Sequence, residues 1–234
     1  MAQTLSDAES ALKRKTRSVY ALLVKTYGVP PWEPDDEPLG GLIATVLSQH
    51  TSDPNSERAY RQLRAKFPTW DAVRDAPLED LAETVRPGGL AHMKARRIQA
   101  ILRELSARSP DHQPDLAMIR DLPLDGALDF LEELPGVGPK TAACVLLFNL
   151  GQPAFPVDTH VLRVTQRLGL IKPRTTADAA HHTLRALIPP EWRHTMHVDL
   201  VAHGRAICHA RQPECGRCPL RGECDYYHEV VLRS

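Results

Sequence analysis

The chain has 234 residues, 42% hydrophobic and 25% charged, and its 29 basic and 29 acidic side chains cancel to a formal net charge of zero. That length allows one large domain or two small lobes with real cores, and an aromatic content of only 5% leaves the core to Leu, Val, Ala and Ile. The balance excludes a protein that coats nucleic acid by bulk charge, so any nucleic-acid surface must be a local patch; no apolar run approaches membrane-spanning length and the N-terminus has no apolar signal region. These features predict a cytoplasmic protein without a membrane partner.

Helical periodicity recurs between prolines, and strand-like alternation is rare. In chain order, DAESALKRKTRSVYALLVKTYG carries apolar residues at Leu12, Val19, Leu22 and Leu23 and stops at Gly28. After the acidic segment EPDDEP (33–38), LGGLIATVLSQHT is so apolar that it predicts a buried helix. NSERAYRQLRAKF follows Pro54, with Asn55 as the expected cap. LEDLAETVR, the basic MKARRIQAILRELSARS, DGALDFLEEL and KTAACVLLFNLG come next, then THVLRVTQRLGL, TADAAHHTLRALI and HVDLVAHGRAICHAR. MIRDLPLDG and GQPAFPV read as connectors. About ten helices with short loops and no internal repeat give an all-α class. From His160 onward stand 11 Lys/Arg against 7 Asp/Glu and 8 of the 11 histidines, which by itself describes a mixed, solvated surface.

Cys144 lies in an apolar helix and reads as core. Cys208, Cys215, Cys218 and Cys224 fall within seventeen residues, spaced C-x6-C-x2-C-x5-C. Four thiols this close in an intracellular chain point to a metal centre. Zinc usually takes two C-x2-C-type pairs, and only one is present. A single wrapped loop suits the corners of a cubane iron–sulfur cluster. The spacing favours the cluster and leaves zinc or free thiols open.

The segment EELPGVGPKTA (132–142) breaks a helix and restarts one at once. Gly136 and Gly138, around Val137, are expected to take backbone angles that a Cβ disfavours, and Pro139 suits the first turn of a helix. A helix, tight hairpin and helix would present N–H groups at a helix start, which attract an anion such as a DNA phosphate; an ordinary helix–helix turn is the plain alternative. Lys140 in that first turn opposes the helix dipole. It is either a tolerated surface lysine or an amine whose pKa is lowered by the helix end and by burial, hence a nucleophile. In FPVDTHVLRV (155–164), Asp158 reads as an N-cap whose carboxylate stays ionised and so can stabilise a developing sugar cation.

LPGVGPKTA, VDTHVLRV and HGRAICHARQPECGRCPLRGEC, in this order, resemble the endonuclease III family of helix-hairpin-helix DNA glycosylases, over roughly residues 39–226. VLSQHTSD and GGLAHMKARRI fall where that family has DNA-probing loops. The resemblance implies two helical lobes with the active site at their cleft, one over 39–150 carrying the hairpin and one from 1–38 plus 151–234 holding a C-terminal [4Fe-4S] cluster on Cys208, Cys215, Cys218 and Cys224. It implies a monomeric, DNA-associated and prokaryotic enzyme of base excision repair, acting on double-stranded DNA with damaged bases or abasic sites. Lys140 would attack C1′ and form a Schiff base with β-elimination 3′ to the lesion; Asp158 would assist its deprotonation. Gly136, Val137, Gly138 and His160 would contact DNA. Leu90 would be a wedge, although a buried loop leucine is the plainer reading of the sequence, and Gln49, His50 and Thr51 would fill the vacated space. Arg211 and Arg217 would meet phosphates or balance the cluster. The chain departs from the family where His50 replaces a usual glutamine and Ala91 a frequent aromatic, which implies altered substrate scope or a lower rate. The rival readings are a related glycosylase with another base preference, and a non-catalytic metal-bound DNA-binding protein.

Overall fold

A computed structural model describes residues 2–33 and 37–232; Pro34, Asp35 and Asp36 of the acidic segment lie outside the described residues. In chain order the helices are α1 (Ala2–Tyr27), α2 (Pro38–Ser48), α3 (Asp53–Lys66), α4 (Trp70–Asp75), α5 (Leu78–Val85), α6 (Ala91–Arg108), α7 (Leu124–Glu132), α8 (Pro139–Cys144), α9 (Thr159–Leu168), α10 (Ala177–Leu187) and α11 (Arg193–Ala206). Short 3-10 turns occupy Arg86–Gly88 and Ala117–Asp121, and α8 widens into a π turn over Val145–Asn149. Among the described residues there is no strand, and no helix is long and apolar enough to cross a membrane. The chain divides into two compact units, residues 34–152 and residues 1–33 with 153–234.

In the 34–152 unit, α2 is buried along most of its length through Leu39, Leu42, Ile43, Val46 and Leu47. Each such side chain contributes about 1.5–3 kcal/mol of burial. It packs against α3 and the 145–149 turn, while α6 lies against α4 and α5 with Ile98, Ile101, Leu102 and Leu105 inside. α3 starts at Asp53 with Ser52 as its N-cap residue, so Asn55 is inside the first turn rather than the cap; Pro54 sits at the second helical position, where its missing N–H costs nothing. α4 was absent from the sequence expectation. It is six residues long, and its stability comes from outside itself. Thr69 Oγ1 accepts from the Ala72 N–H at 3.2 Å, and the buried Gln99 of α6 donates to the carbonyls of Ala76 (2.7 Å) and Val73 (3.3 Å).

The 1–33 and 153–234 unit packs α1 and α9 against α11 over Val19, Leu23, Phe155, Val164, Leu200 and Leu220. α1 stops at Tyr27 before Gly28. Tyr20 stacks on Trp192 with ring centroids 4.5 Å apart. α11 starts at Arg193, four residues earlier than the apolar pattern suggests, because the Arg193 side chain is buried and satisfied by the carbonyls of Ile188 (3.0 Å), Arg185 (2.6 Å) and Pro153. It ends at Ala206 rather than continuing through Cys208. Arg163 accounts for that stop: its guanidinium takes the carbonyls of Gly204 (2.8 Å) and Cys208 (2.9 Å), and the backbone turns away at Ile207.

Asp199 of α11 is only 2% exposed and its Oδ2 finds no donor among the described residues. Burial raises its carboxyl pKa to about 6. Between the ordinary carboxyl value and 6, the native protein therefore holds a proton that the unfolded chain has released. Stability contributed at this site falls as pH rises through that window, and the penalty is complete above it. Asp199→Asn should stabilise the protein at neutral pH by ~2 kcal/mol and flatten this part of the pH dependence, measured by chemical denaturation across pH 4 to 7.

Candidate functional site

The hairpin between α7 and α8 is tight because the Val137 N–H donates to the Leu134 carbonyl at 3.1 Å, and it is anchored because the Val137 side chain is buried. Gly136 has φ +73°, and a Cβ there would come 2.1 Å from Arg97 Nε. Both the backbone angle and the space demand glycine. Gly138 differs from the sequence expectation: its φ of −108° and ψ of 178° are ordinary extended backbone, and a Cβ would meet nothing within 4 Å. It serves as the N-cap position before Pro139. Lys140 follows and is exposed. The desolvation that the nucleophile reading called on is therefore absent from this free protein.

Arg97, half-buried on α6, holds this region together. It lies beneath Gly136, and its Nη1 donates to Gln49 Oε1 at 2.5 Å. Gln49 Nε2 in turn donates to Thr141 Oγ1 at 3.2 Å, beside Lys140 in the first turn of α8. The Gln49 amide is thus engaged within the protein, whereas His50 is exposed at φ +53° and Thr51 is half-buried. Leu90 is 53% exposed at φ +48°, so it is not the buried loop leucine of the plainer reading. Ala91 opens α6, and Met93, 39% exposed, lies on its first turn.

In the other unit, Asp158 caps α9: its Oδ1 accepts the Val161 N–H at 2.7 Å. The Arg163 Nη2 donates to His160 Nδ1 at 3.1 Å, which leaves Nε2 as the ring nitrogen carrying a proton. Lys140 and Asp158 belong to different units of the chain.

Cys208, Cys215, Cys218 and Cys224 all line one small, mostly apolar cavity. Among the described residues no group of three or more metal-ligating side chains is placed to hold a single ion. The surroundings of the four thiols suit an electron-rich, thiolate-ligated group. Arg167 Nη1 donates to Cys208 Sγ at 3.3 Å, and its guanidinium stacks over Tyr226 at 4.7 Å. His203 Nε2 lies 3.5 Å from Cys218 Sγ, and its Nδ1 is 2.9 Å from the Tyr27 hydroxyl. Burial pushes the Cys218 thiol up to about 11 and raises that of Cys224; burial and then the Cys208 thiol raise that of Cys215. Burial thus favours the protonated thiol at Cys215, Cys218 and Cys224, and an iron–sulfur centre takes the place of those protons. Arg217 pairs with Glu214 at 2.5 Å and donates to the Ala206 carbonyl, and Arg211 is exposed. Arg167 supplies the cation at the thiols. Sequence reasoning missed it, and its only signal is one helical turn of separation from Arg163 on the same face of α9.

Comparison with known proteins gives a consistent answer. The family described as HhH-GPD superfamily base excision DNA repair protein matches residues 43–190, and the iron-sulfur binding domain of endonuclease III matches residues 208–224. The chain is 36% identical over 193 residues to endonuclease III of Thermotoga maritima, covering 82% of this chain and 85% of that protein. It is 35% identical over 191 residues to endonuclease III of Rickettsia conorii, covering 81% and 84%. A solved structure of a trapped endonuclease III–DNA covalent intermediate superposes with a TM-score of 0.77 at 31% identity, covering 94% of this chain and 98% of that one.

The two hairpin glycines should behave oppositely. Gly136→Ala is expected to cost at least about 1–2 kcal/mol from its left-handed backbone, with the contact against Arg97 in addition, whereas Gly138→Ala should be neutral or stabilising by up to ~1 kcal/mol. Denaturant unfolding of the two variants checks this.

Proposed function

This chain belongs to the HhH-GPD superfamily of base excision DNA repair proteins, in its endonuclease III branch of DNA N-glycosylases and AP lyases with an iron–sulfur centre, and from that premise we propose that it excises oxidised pyrimidines from duplex DNA through a Schiff base on Lys140. The observation that carries the reading is Lys140 itself: an exposed amine in the first turn of α8, directly after the glycine hairpin. The covalent DNA complex of a relative with the same fold supports it.

In the proposed reaction the target nucleotide leaves the stack so that C1′ becomes reachable. The neutral amine of Lys140 attacks C1′. The bond to the base breaks with its electron pair leaving on the base, which takes up a proton. The sugar ring then opens, with its oxygen protonated, and an imine joins Nζ to C1′. Loss of a C2′ proton expels the 3′ phosphate by β-elimination. Asp158 takes the proton from the attacking amine, and its negative charge stabilises the sugar cation that develops as the base departs. Its Oδ1 accepts the Val161 N–H, which fixes the carboxylate at the start of α9 and supports this reading. Bound duplex covering the exposed Lys140 excludes water from its amine.

Gly136, Val137 and Gly138 approach a phosphate through backbone N–H groups, and the absence of a Cβ at Gly138 keeps that approach open. Leu90 enters the duplex as a wedge. His50 and Thr51 meet the orphaned base, and His160 contacts the strand through Nε2. With histidine at position 50, the opposite-base preference shifts relative to enzymes with glutamine there. The centre held by Cys208, Cys215, Cys218 and Cys224 is a [4Fe-4S] cluster that ties the 208–224 loop into one fold. The enzyme works as a monomer.

Lys140→Gln should abolish the borohydride-trapped protein–DNA adduct and strand cleavage while leaving duplex binding within about threefold; persistent trapping would reject the assignment. Metal analysis of purified protein should give about four irons and equivalent sulfide per chain, and Cys218→Ser should lose them together with the brown colour. One zinc per chain would exclude the cluster.

A further inference from the structure

The longest polar side chain in the interior of the 34–152 unit plays no part in the reaction above. Lys94 of α6 is fully buried. Its Nζ donates to the Leu47 carbonyl at 2.6 Å and to the Gly88 carbonyl at 2.8 Å. Leu47 is in the last turn of α2, whose carbonyls have no helical partner, and the Gln49–His50–Thr51 segment starts two residues later. Gly88 closes the 3-10 turn that delivers Leu90. One amine therefore clamps the bases of two loops that are distant in sequence.

Burying an amine with carbonyls alone for company is costly, and an apolar side chain of similar length would fill the volume at less cost. Burial, and then the charge of Arg97, lowers its pKa from the ordinary lysine value; amine and ammonium alike have two N–H groups for the two carbonyls. What the clamp holds is strained. His50, three residues beyond one clamped carbonyl, and Leu90, two beyond the other, are non-glycine residues at φ +53° and +48°. Such angles persist only where the surroundings over-determine them. One turn along α6, Arg97 secures the Gln49 side chain. α6 thus presents its N-terminal turn, with exposed Leu90 and Met93, and grips the 49–51 loop from beneath.

We propose that Lys94 is a positioning residue that locks the 49–51 loop and the Leu90 turn into one rigid head, so that wedge insertion and filling of the vacated space occur as a single event. This rests on the glycosylase reading. A freely hinged pair of loops would pay the ordering entropy of each loop on DNA; a preassembled head has already met that cost in the fold.

The test uses the full cluster-loaded protein, a duplex carrying an abasic-site analogue, and 2-aminopurine opposite it, whose fluorescence rises on unstacking. Lys94→Met should bind duplex within about threefold of wild type, yet lose unstacking amplitude and lower kcat/KM on a paired lesion about 30-fold, the equivalent of ~2 kcal/mol of extrusion energy; Lys94→Arg should recover part of both. Full unstacking by Lys94→Met, or equal loss of binding and unstacking, overturns the proposal. Should Lys94→Met not fold, a double-mutant cycle on exposed His50→Ala and Leu90→Ala decides the matter: a coupling of at least ~1 kcal/mol in kcat/KM supports one head, and additivity within ~0.3 kcal/mol rejects it. Failure of wild-type protein to form the borohydride-trapped adduct would instead remove the glycosylase reading on which the proposal stands.

Discussion

Arg97 sits where the geometry of the 34–152 unit is decided. Its guanidinium occupies the space that a side chain at position 136 would need, and it holds the Gln49 amide, which reaches Thr141 in the helix that carries Lys140. The hairpin glycine, the loop after α2 and the start of α8 are therefore not independent features. They are tied to one another by side-chain hydrogen bonds through Arg97 and Gln49. Lys140 on its six-residue helix would otherwise have little to orient it, since a helix that short contributes almost no stability of its own.

The cysteine loop illustrates a different constraint. Burial raises the thiols of Cys218 and Cys224, so these two sulfurs are poorly disposed to be anionic until an iron–sulfur group compensates them. Arg167 then matters because it brings a hydrogen-bond donor to the Cys208 sulfur, and the His203 ring lies within reach of Cys218 Sγ. Tyr27 orients the histidine from α1, so the N-terminal helix and the C-terminal loop of the same unit are joined through a polar chain as well as through packing.

Both units place polar side chains in their interiors and satisfy most of them with backbone carbonyls: Lys94, Gln99, Arg163 and Arg193 each take two or more. Each ends a helix or fastens a turn that sequence periodicity alone would leave open. Asp199 differs: among the described residues no donor reaches one of its carboxylate oxygens, a stability cost carried by the fold.

The sequence by itself determined the all-α class, the positions of the long amphipathic helices and the clustering of four cysteines. These follow from the 3.6-residue period, from proline and glycine punctuation and from ligand spacing, all of which are local properties. The cap at Asp158 was legible for the same reason, because an N-cap needs only its own next turn. Only the tertiary structure decided what depends on partners far away in the chain: α4 exists because Gln99 and Thr69 satisfy its ends, α11 begins and stops where arginines meet its carbonyls, and Leu90 is exposed because its turn is held from below. It also separated the two hairpin glycines, since one faces Arg97 and the other faces open space, a difference that identical residues two positions apart cannot encode locally.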